Sequence, residues 1–374
     1  MVKVFVGKET RAGETRVAAT PDSVKRMVKA GCTVTVEPGA GSGTHIDDGQ
    51  FEAAGASIGA LDGADVILRV VPTAEDVASV SSDSLLIGLL SPAQNPDLVR
   101  HLRDQKISAL AMELVPRISR AQEMDALSSQ ASIAGYKAVL LAATRLGKYF
   151  PLLMTAAGTI KPARVVVMGA GVAGLQAIAT AKRLGAVVEV SDIRDVVKEQ
   201  VESLGGKFIE LPDMGGGEGE GGYAREMGEE FLRKQREIVT RHVAAADVVI
   251  CTALVPGKKA PTLLTQEMVE GMKPGAVIVD LAVGQGGNCV LSKPGEDVVH
   301  QGILILGPEN LPAETPVDAS QLYARNVWAL LAILLKEGAL ALDLEDEIVD
   351  GALLTHQGEV RHARTREMLE GEGA

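Results

Sequence analysis

The segment Val165–Asp192, VVVMGAGVAGLQAIATAKRLGAVVEVSD, constrains this chain more than any other stretch. A short apolar strand runs into Gly169-Ala170-Gly171-Val172-Ala173-Gly174. A helix pattern follows over Leu175–Leu184, and a second strand, Val187–Ser191, ends in Asp192. Each part has a physical reason. Gly169 permits a tight strand-to-helix turn, Gly171 lets the backbone approach a pyrophosphate, and Gly174 lets the helix pack close to the strand. The helix start presents unpaired N–H groups and a positive dipole end to phosphate. Asp192, 18 positions after Gly174, suits the hydroxyls of an adenosine ribose and repels a 2′-phosphate. NAD(H) is therefore expected over NADP(H), with Arg194 close enough to soften that preference.

Around this motif the chain alternates strand and helix patterns, which predicts an α/β fold with mainly parallel sheets. Expected strands in the first third are Lys3–Gly7, Thr33–Val36, Asp65–Val71, Leu85–Leu90 and Ser108–Glu113, with helices at Pro21–Ala30 and Asn95–Gln105. A long helix is expected over Ser128–Leu146, then a polar, Pro-containing break at Thr155–Arg164. Further strands are Arg164–Met168, Val187–Ser191, Lys207–Glu210, Val248–Cys251, Ala276–Leu281 and Ile303–Leu306, with a helix over Ala319–Leu335 and a small hairpin after Asp343. The expectation is two Rossmann-like domains joined by long helices, with a cleft between them. The first is discontinuous, 1–127 plus 318–374, and the second, 128–317, carries the dinucleotide site. In such sheets ligands lie at strand C-terminal ends. Further cofactor-binding candidates are therefore Ile193 and Arg194, Ala253 and Leu254, and Gly284 and Gln285. The cluster Gly39–Gly43 reads as a loop.

Composition excludes several classes. A net charge of −12 with 3% aromatic residues leaves neither a basic surface nor stacking platforms for nucleic acid. Cys32, Cys251 and Cys289 are widely spaced and the six histidines are scattered, so neither a disulfide framework nor a metal site is expected. The longest apolar run, Val327–Leu335, is about half of the roughly 20 residues that cross a bilayer. The N-terminus lacks a secretory pattern, so the expected location is the cytoplasm.

Three segments carry a family resemblance: PRISRAQEMDALSSQASIAGYKAV (Pro116–Val139), the glycine motif, and GGYAREMGEEF (Gly221–Phe231). Together they resemble the NAD(H)-binding domain I of proton-translocating nicotinamide nucleotide transhydrogenases, in the split form whose alpha subunit is divided and whose first piece is a separate chain. The resemblance implies hydride transfer between NAD(H) here and NADP(H) on a separate domain III of the beta subunit. It also implies membrane-spanning domain II partners, peripheral attachment to the inner membrane, and a homodimer. It places Arg117, Asp125 and Ser128 around the nicotinamide carboxamide and ring, and Gln122 toward the partner nucleotide. It makes the Gly-rich Asp213–Gly222 a closing loop with Tyr223 near the cofactor. Asp125 and Ser128 equally suit a helix N-cap.

Alanine dehydrogenases share the architecture and supply the alternative. They need a cationic carboxylate binder and a proton donor. Arg16 matches their arginine. The strand expected to carry a lysine reads ILRVVPT (Ile67–Thr73), the segment expected to carry a histidine reads LIGLLSPAQN (Leu86–Asn95), and Gly284 stands where an aspartate is expected. Arg16 then reads as an ion-pairing residue. A non-catalytic NAD(H)-binding protein is the third reading.

Overall fold

The computed structural model describes residues 1–210, 229–254 and 259–371. The chain divides into two compact units, Met1–Gln130 with Pro312–Ala374, and Ala131–Leu311. Both are α/β, and each is built on its own sheet.

The first unit has an eight-stranded sheet in the order Glu359–Val360, Leu353–His356, Ser108–Ala111, Leu85–Gly88, Val66–Leu68, Lys3–Val6, Thr33–Val36, Ser57–Ile58. The six strands from Ser108–Ala111 onward are parallel; the two C-terminal ones pair antiparallel. Leu85, Leu86, Ile87 and Val66–Leu68 are almost wholly buried, as expected when helices cover both faces of a parallel sheet. The helix Pro21–Lys29 starts as the sequence predicts: Pro21 takes the first helical position, and the Thr20 amide donates to Ser23 Oγ at 2.9 Å. The helix Pro316–Leu334 drives Tyr323, Val327, Leu330, Leu331 and Leu334 into the core.

The second unit has seven strands in the order Lys207–Phe208, Val187–Ser191, Arg164–Met168, Val248–Cys251, Val277–Asp280, Ile303–Leu306, Asp297–His300. All are parallel except the last. The order reverses between Arg164–Met168 and Val248–Cys251, the switch point where doubly wound sheets bind ligands.

Several details differ from expectation, among them the short edge strand Ser57–Ile58, which was not foreseen. The supposed break before Arg164 holds an exposed two-stranded hairpin, Leu153–Thr155 with Gly158–Ile160. Asp297–His300 is an unforeseen edge strand. Leu335–Lys336 and Ala339–Leu340 form a further short hairpin at the end of the Pro316–Leu334 helix. The C-terminal hairpin is preceded by a helix, Glu347–Ala352, because Asp346 Oδ1 accepts the Ile348 amide at 2.8 Å and caps it.

Candidate dinucleotide site

The strand Arg164–Met168 ends where the Gly169 amide donates to Ser191 O at 2.8 Å, tying the turn to the neighbouring strand. Gly169 has φ +103°, a conformation that side chains rarely adopt. A Cβ on Gly174 would lie 1.9 Å from Gly169 O, so only glycine lets the helix Val172–Arg183 start this close to the strand. Gly171 is different. Its φ is −75° and a Cβ there would meet nothing within 4 Å. It is the N-cap of that helix, yet no side chain caps it. The fold makes no demand for glycine at 171, whereas a diphosphate lying on the helix start would. Ala170, Val172 and Ala173 complete the turn, with Ala170 buried and Val172 exposed.

Asp192 is buried, and its carboxylate is already occupied. Oδ2 accepts the Ala170 amide at 2.6 Å and Arg194 Nη2 at 2.7 Å, while Oδ1 accepts the Arg194 amide and Nε at 2.9 Å each. Four bonds fill the roughly four acceptor sites of a carboxylate. Sequence reasoning treated Asp192 as open to ribose. In the structure it also holds the glycine turn, and Arg194 covers it. Ile193 is half-buried between them in sequence.

Across the switch point, Thr252 Oγ1 donates to Gly169 O at 3.0 Å. A Cβ on Gly169 would come within 3.2 Å of the Ala253 nitrogen, so Ala253 abuts the glycine turn. Leu254 follows, half-buried. Gly284 sits in the turn after Val277–Asp280, and a Cβ there too would meet nothing within 4 Å. Gln285 Oε1 is enclosed without a donor among the described residues. Such an acceptor is costly to leave unpaired. The structure thus brings Gly169–Gly174, Asp192–Arg194 and Ala253 together.

In the first unit, Arg117 is exposed after Pro116, and Gln122 is exposed on the 3-10 helix Ser119–Met124. Asp125 precedes the long helix Ala126–Arg145, and its Oδ1 and Oδ2 accept the Ser128 amide at 2.9 Å and Ser128 Oγ at 2.6 Å. This is the N-cap arrangement, which by itself accounts for both residue types. Asn326 pins the segment by donating to Glu123 O at 2.7 Å and accepting Ser129 Oγ at 2.7 Å. Arg16 is ion-paired: Nε and Nη2 reach Glu14 at 2.7 and 2.6 Å, and Nη1 donates to Gln130 at 2.8 Å. Arg69, in the strand expected to carry a lysine, lies 3.2 Å from Asp76 and donates to Lys8 O. Tyr223 and the Asp213–Gly222 loop lie outside the described residues.

Two features were missed from sequence. Gly135 is one: a Cβ there would lie 2.0 Å from Ala173 O, so the long helix touches the start of the dinucleotide helix only because residue 135 is glycine. A glycine inside a strong helix pattern was the available signal. Asn288 is the other, and no local sequence signal marks it. Among the described residues no cluster could hold a metal ion, and no helix is long and apolar enough to cross a membrane.

The family models for the N-terminal and C-terminal domains of alanine dehydrogenase/PNT match residues 5–134 and 138–363. The chain is 50% identical to the first part of NAD(P) transhydrogenase subunit alpha of Rhodospirillum rubrum, with 100% of each chain covered. A solved transhydrogenase from Sinorhizobium meliloti superposes with a TM-score of 0.88 at 45% identity, covering 96% of this chain and 99% of that one. A solved L-alanine dehydrogenase gives a TM-score of 0.84 at 27% identity, with 100% of each covered. Fold alone barely separates the two relatives; sequence does.

Proposed function

The chain belongs to the alanine dehydrogenase/PNT family of oxidoreductases, on its transhydrogenase side, and from that premise we propose that it binds NAD(H) on the second unit and exchanges hydride directly with NADP(H) held by a separate domain III. The observation that carries the cofactor half is Gly171: a glycine that the fold does not require, at an uncapped helix start, where a pyrophosphate needs the room.

NAD(H) supplies the hydride chemistry; the protein contributes position. Gly169–Gly174 takes the pyrophosphate. Asp192 takes the adenosine ribose once Arg194 gives way, since its acceptor sites are otherwise full. Ala253, Leu254, Gly284 and Gln285 border the nicotinamide side, with Ile193 beside the ribose. Arg117, Asp125 and Ser128 orient the carboxamide, Gln122 faces the partner nucleotide, and Tyr223 closes over the site. Transfer between two nicotinamides needs no proton donor. It needs the rings at near-attack distance, on the order of 3–3.5 Å, with water kept out. The alanine dehydrogenase reading is disfavoured by its absent lysine, histidine and aspartate, and by Arg16 being held by Glu14. In the cell the subunit works as a homodimer on the cytoplasmic face of the inner membrane, attached through domain II and domain III partners.

The test is single-turnover oxidation of pre-bound NADH by NADP⁺, with and without purified domain III. Fast oxidation only with domain III is expected. Oxidation driven instead by a keto acid plus ammonia would replace this reading with the amino-acid dehydrogenase one. NADH binding without transfer to either would leave a binding protein.

A further inference from the structure

Asn288 is fully buried, and its side chain is spent on two backbone neighbours, chiefly Ala253. Its Nδ2 donates to Ala253 O at 2.9 Å and Pro261 O at 2.8 Å, and its Oδ1 accepts the Ala253 amide at 3.1 Å. Both backbone groups of Ala253 are thereby fixed by a single amide. Ala253 in turn abuts Gly169, and Thr252 bonds Gly169 O. Asn288 therefore holds the ledge after Val248–Cys251 against the glycine turn.

The turn that carries Gly284 and Gln285 continues through two glycines that serve Asn288. Gly286 and Gly287 have φ of +96° and +76°, and through them the chain doubles back to present Asn288. The loop is anchored on its other side by Asp280, which is fully buried. Asp280 accepts the Ala282 amide at 3.0 Å, the Cys289 amide at 2.9 Å and Ser292 Oγ at 2.6 Å. A Cβ on Gly287 would lie 2.7 Å from Ser292 Oγ. The backbone carbonyl of Asn288 also accepts the Leu263 and Leu264 amides, at 2.8 and 2.9 Å. The residue is rigidly placed, and what it places is Ala253.

Strand order says which half of a dinucleotide this serves. Asp192 ends the strand on one side of Arg164–Met168, and the Thr252–Leu254 ledge ends the strand on the other. In a doubly wound sheet the adenosine half lies on the first side and the nicotinamide half on the second. We propose that Asn288 is a positioning residue for NAD(H), acting through the Thr252–Leu254 ledge on the nicotinamide half of the nucleotide and not on the adenosine half. This rests on the dinucleotide reading above.

The test compares NADH with AMP, which probes only the adenosine side, on the full chain and its Asn288→Ala and Asn288→Asp variants. The aspartate keeps the shape and an acceptor for the Ala253 amide but loses the donor to Ala253 and Pro261. Both variants are expected to bind NADH about tenfold more weakly, the effect of one or two lost buried hydrogen bonds, while AMP affinity moves by less than about twofold. Retained AMP binding also reports that the domain is folded. Equal losses for NADH and AMP, no loss of either, or AMP binding absent from both variants would each overturn the inference. Failure of the unaltered protein to bind NADH would instead overturn the dinucleotide reading itself.

Discussion

Gly171 and Gly174 stand three positions apart in one motif and answer to different demands. Gly174 is required by the fold, since its Cβ would enter Gly169 O, whereas Gly171 faces open space at an ordinary φ. Gly171→Ala should therefore leave the melting temperature within about 4 °C of the parent, because replacing glycine by alanine at a helix N-cap costs no more than about 1 kcal/mol. The same variant should weaken NADH binding by more than about tenfold, since the added methyl group occupies space the pyrophosphate needs. A variant that binds NADH normally would sink the pyrophosphate assignment; one that unfolds would show a structural demand at 171 that the geometry does not contain. Motif spacing made these glycines legible in the sequence, but not which one the fold itself needs. Asp192 was legible as a strand-end carboxylate. Its bonds to the Ala170 amide and Arg194 were not, because they depend on where the turn folds back.

Strands buried on both faces, such as Arg164–Met168 and Val248–Cys251, were readable because a continuous apolar run admits few alternatives once turn residues bound it. Asp297–His300 was not, since an edge strand alternating exposed and half-buried residues carries charge and little apolar pattern. The hairpin at Leu153–Ile160 was hidden for a similar reason: its residues are largely exposed. Tertiary clamps on loops are equally invisible in a sequence, and Glu113 is one of them. Its Oε1 accepts both the Leu90 amide, at 2.9 Å, and the Ser91 amide, holding the turn after Leu85–Gly88. Burial pushes this carboxyl up to about 7, from 4.5. A folded-state value above the unfolded one means that the folded chain keeps a proton the unfolded chain has lost. The contribution is fully present below the unfolded value and disappears as pH rises through the folded one. Glu113→Gln retains an oxygen for both amides and removes the charge. Urea midpoints should therefore rise for the variant at about pH 8, and its loss of stability between about pH 5 and pH 7.5 should be shallower than the parent's. The slope should not vanish, because burial holds Glu9 at about 7 as well. An unchanged slope would mean that Glu113 is ionised at no cost in the fold.

At the scale of the molecule, the chain leaves the first unit within the helix Ala126–Arg145 and returns to it at Pro312. Neither fact is local: it depends on which core receives the apolar face of Pro316–Leu334. That helix supplies Tyr323, Val327, Leu330, Leu331 and Leu334 to the first unit's core, and Tyr323 donates its hydroxyl to Arg69 O at 2.9 Å. Leu353–His356 then pairs beside Ser108–Ala111. Each large side chain buried this way contributes about 1.5–3 kcal/mol, so five of them rival the whole stability of an ordinary domain, about 5–15 kcal/mol. The second unit draws its seven-stranded sheet from Ala131–Leu311 alone. A chain ending at Leu311 should therefore lose the first unit and keep the second. Limited proteolysis should digest the N-terminal part up to the long helix and leave a resistant fragment beginning near Ala126, and that fragment should still bind AMP at the Asp192 side. If the N-terminal 130 residues stay resistant, the C-terminal helix is not the keystone of the first core that its buried face implies. If the remaining fragment is digested as quickly as the rest, the second unit depends on the first for its folding, and the dinucleotide site exists only in the whole chain.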